Sequence, residues 1–228
     1  MERKIIITED GSHTVSIPEM RVTYHSVHGA IQESQHVYLK AGLKYLLNEQ
    51  NKPGNLRVFE VGFGAGLNTL LTYIEAEKKQ QKIYYETIEP FPLSKEEIRS
   101  LNYCQLLNLP DLQFIFELFH SCEYEKENRF PPFFILKKNK TDLSTFKISD
   151  LFDLIYFDAF DPSVQPELWT KEVFEKLFSI LEPNGILVTY SSKGDVRRSM
   201  QAAGFSVEKI PGAKGKREMI RAAHPNII

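Results

Sequence analysis

The chain has 228 residues and a formal net charge of −2, with 42% hydrophobic and 25% charged residues. This length suits one α/β domain with a sizeable core, and the composition excludes a disordered or fibrous protein. The charge excludes a strongly basic, histone-like nucleic-acid binder but allows a local basic patch. No segment approaches the ~20 apolar residues of a membrane span. The two cysteines form no CxxC pair, so we expect a reduced, cytoplasmic protein.

The N-terminal part differs in pattern from the rest of the chain. Short β-like runs with Asp10-Gly11, Pro18 and Gly29 between them predict a small N-terminal β extension, followed by a lead-in helix, over residues 1–50. From residue 51 to 228, apolar strands alternate with helical segments. This alternation is typical of an α/β, Rossmann-like core with a mostly parallel twisted sheet and helices on both faces.

The core elements follow in chain order. The patterns predict strands at 56–61, 83–88, 112–118, 154–157, 186–190, 205–210 and 218–221, and helices at 67–79, 94–108, 170–181 and 194–203. Between 129 and 149 the alternation breaks. There, Pro131-Pro132 and two apolar runs, 133–137 and 145–148, predict an inserted hairpin. An insertion of this kind either is purely structural or shapes a substrate mouth.

The strongest local motif is Glu60-Val61-Gly62-Phe63-Gly64-Ala65-Gly66-Leu67-Asn68, which follows one predicted strand and opens a helix. Glycines permit a tight turn and the close approach of a ligand, although a plain structural turn is a fair competitor. The third glycine is at 66, not at 67 as in a dinucleotide fingerprint, and no lysine follows as in a P-loop. The spacing resembles the first motif of class I methyltransferases, which implies a loop around the methionyl part of S-adenosylmethionine.

An acid follows the next predicted strand. Glu89, with Pro90 after it, lies one βαβ unit beyond the glycine loop. A carboxylate at this place can accept hydrogen bonds from both ribose hydroxyls of a nucleoside cofactor. An isolated acid would more often be a solvated strand end, but the coupling to the loop favours cofactor binding at the carboxyl ends of the strands.

Two more acids, Asp158 and Asp161, follow the strand 154–157. An alkyl amine is largely protonated at neutral pH, so its methylation requires an aligned lone pair and a group that receives the proton. We assign this catalytic role to Asp158. For Asp161 we favour capping of the turn before Pro162.

Longer segments carry a resemblance to a known family. They are Tyr24-His25-Ser26, Asp158-Ala159-Phe160, Pro166-Glu167-Leu168-Trp169-Thr170, Thr189-Tyr190-Ser191-Ser192-Lys193-Gly194 and Gly215-Lys216-Arg217-Glu218-Met219. Over nearly its whole length the chain resembles the MnmD family and the methyltransferase domain of MnmC. The resemblance implies a class I fold and N-methylation, with S-adenosyl-L-methionine, of 5-aminomethyl-(2-thio)uridine at the tRNA wobble position. It also implies that Asp158 lies by the reacting amine, Glu89 holds the ribose and the Glu33 region helps to close the cofactor site.

Two departures from the family matter. The family commonly has Ala where this chain has Asp161, which puts an extra charge by the reaction centre. The FAD-dependent oxidase domain of MnmC is absent from this sequence. We therefore expect another enzyme to supply the aminomethyl substrate.

The resulting site predictions form two sets. The predicted cofactor-binding residues are Glu33, Glu60, Gly62, Phe63, Gly64, Gly66, Asn68, Glu89, Pro90 and Asp158. The predicted substrate-binding residues are Phe160, Tyr190, Lys193, Arg197, Arg198, Lys216 and Arg217. The cations of the second set belong to a C-terminal stretch rich in Lys and Arg and would contact phosphates of the anticodon loop, while the ring of Tyr190, Phe160 or Trp169 would hold the splayed base. A merely solvated charged face is the alternative.

Other chemistries have weaker support. His25, His28 and His36 lack a metal-type spacing, so no metal is expected. Two rival functions remain. The first is methylation of a small-molecule amine by the same fold, against which the basic stretch argues. The second is a non-catalytic module that retains the cofactor pocket, against which the intact Glu60, Glu89 and Asp158 argue.

Overall fold

The structure is a computed structural model that describes residues 2–49, 54–147 and 150–225. Its centre is an eight-stranded sheet in the order β10-β11-β9-β8-β4-β5-β7-β6. These strands are β4 (Leu56–Val61), β5 (Ile83–Ile88), β6 (Glu127–Phe130), β7 (Phe134–Asn139), β8 (Phe152–Phe157), β9 (Leu181–Thr189), β10 (Ser206–Pro211) and β11 (Glu218–Ala223). The five adjacent strands β9, β8, β4, β5 and β7 are parallel, and the remaining pairs are antiparallel. The predicted mostly parallel α/β sheet is confirmed.

The helices cover both faces of this sheet. They are α1 (Ala30–Ser34), α2 (Lys44–Glu49), α3 (Leu67–Lys79), α4 (Lys95–Arg99), α5 (Tyr103–Leu106), α6 (Gln113–Ser121), α7 (Lys171–Phe178) and α8 (Gly194–Ala202). Two buried apolar clusters separate the layers. One lies under α3, α5 and α6, and the other lies under α7 and α8. The central strand β8 is buried at every position, as expected for a strand covered on both faces.

A π-helix, Gln35–Leu43, continues from α1 to α2. Its residue Gly42 faces the sheet, where an added Cβ would lie 3.1 Å from both Tyr156 and Val188. Glycine therefore lets the helix backbone approach β8 and β9 closely. Runs of π-helix are rare and frequently mark functional sites.

The N-terminal residues form their own antiparallel sheet from β1 (Lys4–Ile7), β2 (His13–Ile17) and β3 (Val22–Thr23). Side chains tie this sheet to the loops after β5. Arg3 donates to the carbonyls of Phe91 and Pro92, at 2.6 and 3.1 Å, and Asn102 bonds both the amide of His13 and the carbonyl of Gly11. The N-terminal sheet is therefore held next to the carboxyl ends of the core strands.

Three predictions of secondary structure were wrong. The single helix predicted at 94–108 is two short helices, α4 and α5, separated by residues 100–102. The segment 112–118 is not a strand but most of it lies in helix α6, because Phe116 and Phe119, three residues apart, are both fully buried. The apolar run 133–137 is not part of an insertion, since β7 pairs in parallel with β5 inside the main sheet.

The hairpin predicted near 129–149 is therefore misplaced. It is formed instead by β6 and β7 around Pro131-Pro132. Residues 141–147 form turns and irregular backbone rather than a returning strand, and residues 148 and 149 lie outside the described residues. None of the helices in the described part of the chain has both the length and the apolar character that a membrane span requires.

Candidate active site

The glycine loop joins β4 to α3 at the carboxyl edge of the parallel strands. Gly62, Gly64 and Gly66 all have positive φ angles, of 92°, 50° and 71°. A Cβ on Gly62 would lie 2.7 Å from the carbonyl oxygen of Asp158, and one on Gly66 would lie 2.8 Å from His120 Nε2. Only glycine satisfies both the backbone conformation and the close contacts. The loop thus presents bare backbone between the ends of β4 and β8, as a cradle for a bound nucleoside requires.

Glu89 follows β5 and supports this loop. Its Oε2 accepts a hydrogen bond from the amide of Gly64 at 2.9 Å, and its Oε1 accepts one from the amide of Phe91 at 2.8 Å. Burial raises the pKa of the carboxyl, while these two amides and Arg3 counteract the rise. Each carboxylate oxygen keeps a second acceptor site for another donor. Pro90 follows directly and is half-buried.

Asp158 follows β8 and lies at the inner end of the site. Its Oδ2 accepts a hydrogen bond from Asn68 Nδ2 at 2.8 Å, so α3 and β8 meet at this carboxylate. Burial raises the pKa of Asp158 to about 7, and the charge of Glu33 adds to the rise. The Tyr38 hydroxyl, the Asn68 amide and Lys216 counteract it in part. A carboxyl with this pKa exchanges a proton readily at neutral pH.

Glu60 lies deeper, with its side chain fully buried in β4. It accepts a hydrogen bond from the Thr87 hydroxyl at 3.0 Å. Burial, and then the nearby charge of Asp158, raise the pKa of Glu60 to about 8. At neutral pH this carboxyl is therefore mostly protonated, and it carries no charge for a ligand to meet.

Polar atoms without a partner surround this inner end. Asn68 Oδ1 and Glu60 Oε1 are buried and lack a hydrogen bond of good geometry within the described ranges. Buried polar atoms are nearly always satisfied by protein, water or ligand. Together with the bare glycine loop and the acceptor sites of Glu89, they fit a cofactor with a polar amino-acid end and a ribose, such as S-adenosyl-L-methionine.

A cavity of about 520 Å³ opens beside Asp158, between the N-terminal sheet and the core. Its walls come from 21–26, Glu33, the segments 159–161 and 163–164, and the segments 190–193 and 216–218. Five predicted substrate residues line it, namely Phe160, Tyr190, Lys193, Lys216 and Arg217. Two others, Arg197 and Arg198, are on α8 and are not among its lining residues.

Aromatic rings shape the inner part of the cavity. Phe160 contacts Tyr24 edge to face, with ring centres 5.4 Å apart. Tyr190 donates from its hydroxyl to the carbonyl of Ala159 at 2.8 Å, and the Lys216 ammonium lies 3.8 Å from the centre of its ring. Trp169, also a sequence candidate for base stacking, is instead buried and donates to the carbonyl of Phe160. That candidate is wrong because its ring packs into the core against Phe157.

The basic C-terminal stretch is largely neutralised by ion pairs. Six of its cations have carboxylate partners, namely Lys193–Asp161, Arg198–Asp195, Lys209–Glu218, Lys214–Glu9, Lys216–Glu33 and Arg221–Glu208. Asp161 also accepts hydrogen bonds from the amide and hydroxyl of Ser163, at 2.9 and 2.6 Å, which is the turn-capping arrangement favoured from the sequence. Positive charge in this stretch is therefore much less available than the sequence indicates.

Three site residues were missed from the sequence. Tyr38 reaches Asp158 from the π-helix, where its place in an apolar helical pattern indicated only core packing. Tyr24 and Arg21 line the cavity from the N-terminal sheet, and only the segment Tyr24-His25-Ser26 in the family resemblance gave any signal for them. Within the described ranges, no group of three or more His, Cys, Asp or Glu side chains is arranged to hold a metal ion.

Comparison with known proteins agrees with this geometry. Residues 135–225 match the family described as S-adenosyl-L-methionine-dependent methyltransferase. The tRNA 5-methylaminomethyl-2-thiouridine biosynthesis bifunctional protein MnmC of Leptospira interrogans is 31% identical over 204 residues, which cover 86% of this chain and 32% of that protein. Its namesake in Pseudomonas savastanoi is 28% identical over 209 residues, covering 87% of this chain and 31% of that protein.

The fold has a similar counterpart among solved structures. The crystal structure of MNMC2 from Aquifex aeolicus superposes with a TM-score of 0.77 at 24% identity, covering 98% of this chain and 70% of that one. The chain spans about a third of the length of the curated relatives it matches. In sequence, the chain is similar to the S-adenosyl-L-methionine-dependent methyltransferase family over residues 135–225 and to MnmC proteins over most of its length.

Proposed function

We propose that this methyltransferase methylates the amine of 5-aminomethyl-(2-thio)uridine at the wobble position of tRNA, giving 5-methylaminomethyl-(2-thio)uridine. The names of the MnmC relatives, which refer to biosynthesis of this methylated nucleoside in tRNA, support the choice of substrate. The protein acts in the cytoplasm in this proposal, and another enzyme supplies the aminomethyl group. Residues 1–50 serve as an extension that lines one side of the substrate cavity, and residues 51–228 form the catalytic core.

The observation that carries the proposal is the place and state of Asp158. It directly precedes Ala159 and Phe160, which line the cavity, and burial raises its pKa to about 7. A carboxylate of this pKa accepts a proton from an ammonium group far better than an ordinary aspartate does.

The chain's own residues divide the chemistry. S-adenosyl-L-methionine supplies an electrophilic methyl group when it is bound. Asp158 would take the proton that the ammonium form of the substrate must lose before its nitrogen has a lone pair, and would then orient that nitrogen for methylation through a hydrogen bond. Asn68 fixes the orientation of the carboxylate through its 2.8 Å hydrogen bond. Positioning and removal of one proton are thus the protein's main tasks.

The remaining roles follow from position. We assign the methionyl part of S-adenosyl-L-methionine to the glycine loop, with Glu60 and Asn68 below it; the loop residues are Gly62, Phe63, Gly64 and Gly66. We assign the ribose of the cofactor to Glu89 and Pro90. Glu33 closes the site from the side of α1, because its Oε1 pairs with Lys216 and its Oε2 accepts from the amide of Ser26, both at 2.7 Å. Phe160 and Tyr190 hold the base. Lys193, Arg197, Arg198, Lys216 and Arg217 contact the anticodon loop.

A second candidate is methylation of a small-molecule amine. The ion pairs that neutralise most of the C-terminal cations favour it, since a polyanionic substrate gains little from charges that are already paired. The lining of the cavity, which includes Phe160 and Tyr190, accepts a planar base as well as a small amine.

One assay separates these functions. The purified protein is incubated with labelled S-adenosyl-L-methionine and tRNA from cells that lack this methylation, and the nucleosides are identified by mass spectrometry. We expect 5-methylaminomethyl-(2-thio)uridine as the labelled product. No label in tRNA, with cofactor binding intact, contradicts the proposal, and label in free amines then establishes the small-molecule function.

A further inference from the structure

The charges that line the cavity do not balance one another. Its three lining acids, Glu33, Asp161 and Glu218, are each bound by a lysine, at 2.7, 2.5 and 2.7 Å. These pairs also occupy the two lining lysines, Lys193 and Lys216. Every lining acid and every lining lysine therefore belongs to an ion pair, with Lys209 from outside the lining as the partner of Glu218, and the net charge of the mouth depends on the lining residues that remain.

Two arginines remain, Arg21 and Arg217. Both line the cavity, and neither side chain has an ion pair or hydrogen bond with any described part of the chain. They come from regions far apart in sequence. Arg21 lies in the N-terminal sheet region just before β3, and Arg217 lies in the loop between β10 and β11. In a chain of net charge −2, the mouth of this cavity thus carries two guanidinium groups that form no ion pair within the described residues.

The backbone at Arg21 is held in a fixed and uncommon shape. Its φ and ψ are 54° and 40°, and its amide donates to the carbonyl of Pro18 at 3.1 Å, closing a single 3₁₀ turn. This left-handed backbone region is disfavoured for residues other than glycine and asparagine. Glycine would therefore suit this turn better than arginine. The Arg21 side chain also forms no hydrogen bond or ion pair with the described residues that would stabilise the fold.

The chemistry of the ligand follows from the guanidinium groups. Arginine binds phosphate in a bidentate manner and stays charged at any physiological pH. Recognition of a base in a single-stranded RNA loop combines stacking of that base with contacts to the neighbouring phosphates. Here the aromatic rings of Phe160, Tyr24 and Tyr190 lie inside the cavity and the free arginines lie in its wall.

We propose that Arg21 and Arg217 form a two-sided clamp for backbone phosphates of the nucleotides that flank the base entering the cavity. The N-terminal sheet is then part of the RNA-binding surface, together with the β10–β11 loop. This clamp rests on the proposed action on tRNA and specifies how the tRNA is held. Arg197 has no place in the clamp, because it does not line the cavity and its Nε is buried.

The test uses the variants Arg21→Gln and Arg217→Gln, singly and together. Arg129→Gln is the matched control, because Arg129 is an exposed arginine on β6, at the opposite edge of the sheet from β10. The probe is tRNA from cells that lack this methylation, and its Kd is measured by filter binding at several NaCl concentrations. Titration calorimetry with S-adenosyl-L-methionine reports whether each variant keeps an intact cofactor site.

We expect each clamp variant to bind tRNA about tenfold more weakly, with the slope of log K against log salt reduced by about 0.7 to 0.9. The double variant loses both contributions to tRNA binding. Arg129→Gln binds tRNA as the wild type does, and every variant keeps the wild-type affinity for S-adenosyl-L-methionine. If the clamp variants bind tRNA with the same Kd and the same salt dependence as Arg129→Gln, the inference is overturned, even when the wild type methylates tRNA. If the wild type binds tRNA through these arginines but transfers no methyl group to it, the proposed function fails and the clamp stands.

Discussion

Asp158 and Asp161 follow the same strand three residues apart, yet their surroundings push their pKa values in opposite directions. Asp158 lies at the buried end of β8, where burial raises its pKa to about 7. At Asp161, the effect of burial is outweighed by hydrogen bonds from Lys193 and Ser163, so its pKa is lowered. Near neutral pH the first carboxyl therefore exchanges a proton and the second remains a fixed charge within an ion pair.

The same contrast separates the interior of the site from its rim. The inner acids, Asp158 and Glu60, form no ion pair with any residue that the structure describes, while the rim acids Glu33 and Asp161 are each held by a lysine. Neighbouring acids in one fold take different roles when their surroundings give them different pKa values. Proton transfer is thus confined to the interior, and the rim is left for positioning and recognition.

The largest expected effect comes from replacing each of the two aspartates with alanine in separate variants. Asp158→Ala removes the proton acceptor, and we expect a loss of about 10²–10⁴-fold in kcat with S-adenosyl-L-methionine binding retained. Asp161→Ala breaks a partly exposed ion pair with Lys193 and the two hydrogen bonds from Ser163, but it leaves Asp158 in place, so its kcat should fall less than about threefold. Steady-state kinetics and cofactor titration of both variants decide the matter. Equal losses in the two variants would show that the contrast between them has no catalytic meaning.

Glu89→Ala addresses the cofactor side of the interior. Because Glu89 holds the amides of Gly64 and Phe91 and is assigned to the ribose, the variant should bind S-adenosyl-L-methionine at least about tenfold more weakly. Its kcat at saturating cofactor should change less than that of Asp158→Ala. Glu96→Ala, at an exposed position of α4, is the control for removal of an acid nearby. Unchanged cofactor affinity in Glu89→Ala contradicts this assignment.

Glu60 tests the interior through stability rather than activity. Its pKa is about 8 in the folded chain against a usual value of 4.5, so the folded state keeps a proton that the unfolded state loses between these values. Stability from this group is complete below pH 4.5 and is lost as the pH rises towards 8, by at most about 1.4 kcal/mol per unit. Glu60→Gln should therefore gain stability relative to the wild type as the pH rises, in urea unfolding at pH 5, 6.5 and 8. A difference that does not vary with pH argues that Glu60 ionises normally.

The smallest predicted effect concerns Tyr38. Its hydroxyl lowers the pKa of Asp158, so Tyr38→Phe should raise that pKa and move the rise of kcat/KM with pH to a higher midpoint. The other groups whose charges act on Asp158, Glu33 and Lys216, remain in place. We expect a loss of a few-fold at pH 7 that shrinks at pH 8.5, since both enzymes then carry an ionised Asp158. A parallel loss at every pH indicates a purely structural role.

A second buried tyrosine provides the control for this variant. Tyr103 packs against Phe116 and His25, so Tyr103→Phe removes a buried hydroxyl from a different part of the core. Its pH profile should keep the midpoint of the wild type. A shift of the same size in both variants would assign the effect to general loosening of the core rather than to Asp158.

Local sequence patterns were enough for the central part of the fold and for the acids at the strand ends of the site. Strands β4, β5 and β8 and helix α3 with its predicted bounds were all predicted. So was the position of Glu89 and Asp158 at strand ends on one edge of the sheet. These features depend on residues close together in the chain, and parallel strands bring their carboxyl ends to one edge without further information.

The tertiary structure decided what depends on residues far apart. Helix α6 was mistaken for a strand because its run of apolar and aromatic residues fits either structure, and the choice came from packing of Phe116 and Phe119 against distant elements. β7 likewise became a core strand only through its pairing with β5. Periodicity reports which residues prefer burial, but not which surface buries them.

The rim of the site shows the same limit for charge. The sequence determined that Lys and Arg are concentrated near the C-terminus, but whether each charge is free depends on its partner in space. Lys216 meets Glu33, 183 residues away, and Arg21 joins Arg217 at one cavity although no local motif marks it. Residue type fixes which side chains are cationic, whereas long-range contacts fix their neutralisation. For this protein, the sequence alone therefore determined which acids lie at the strand ends of the interior, and the tertiary structure decided their pKa values and which cations remain available at the mouth.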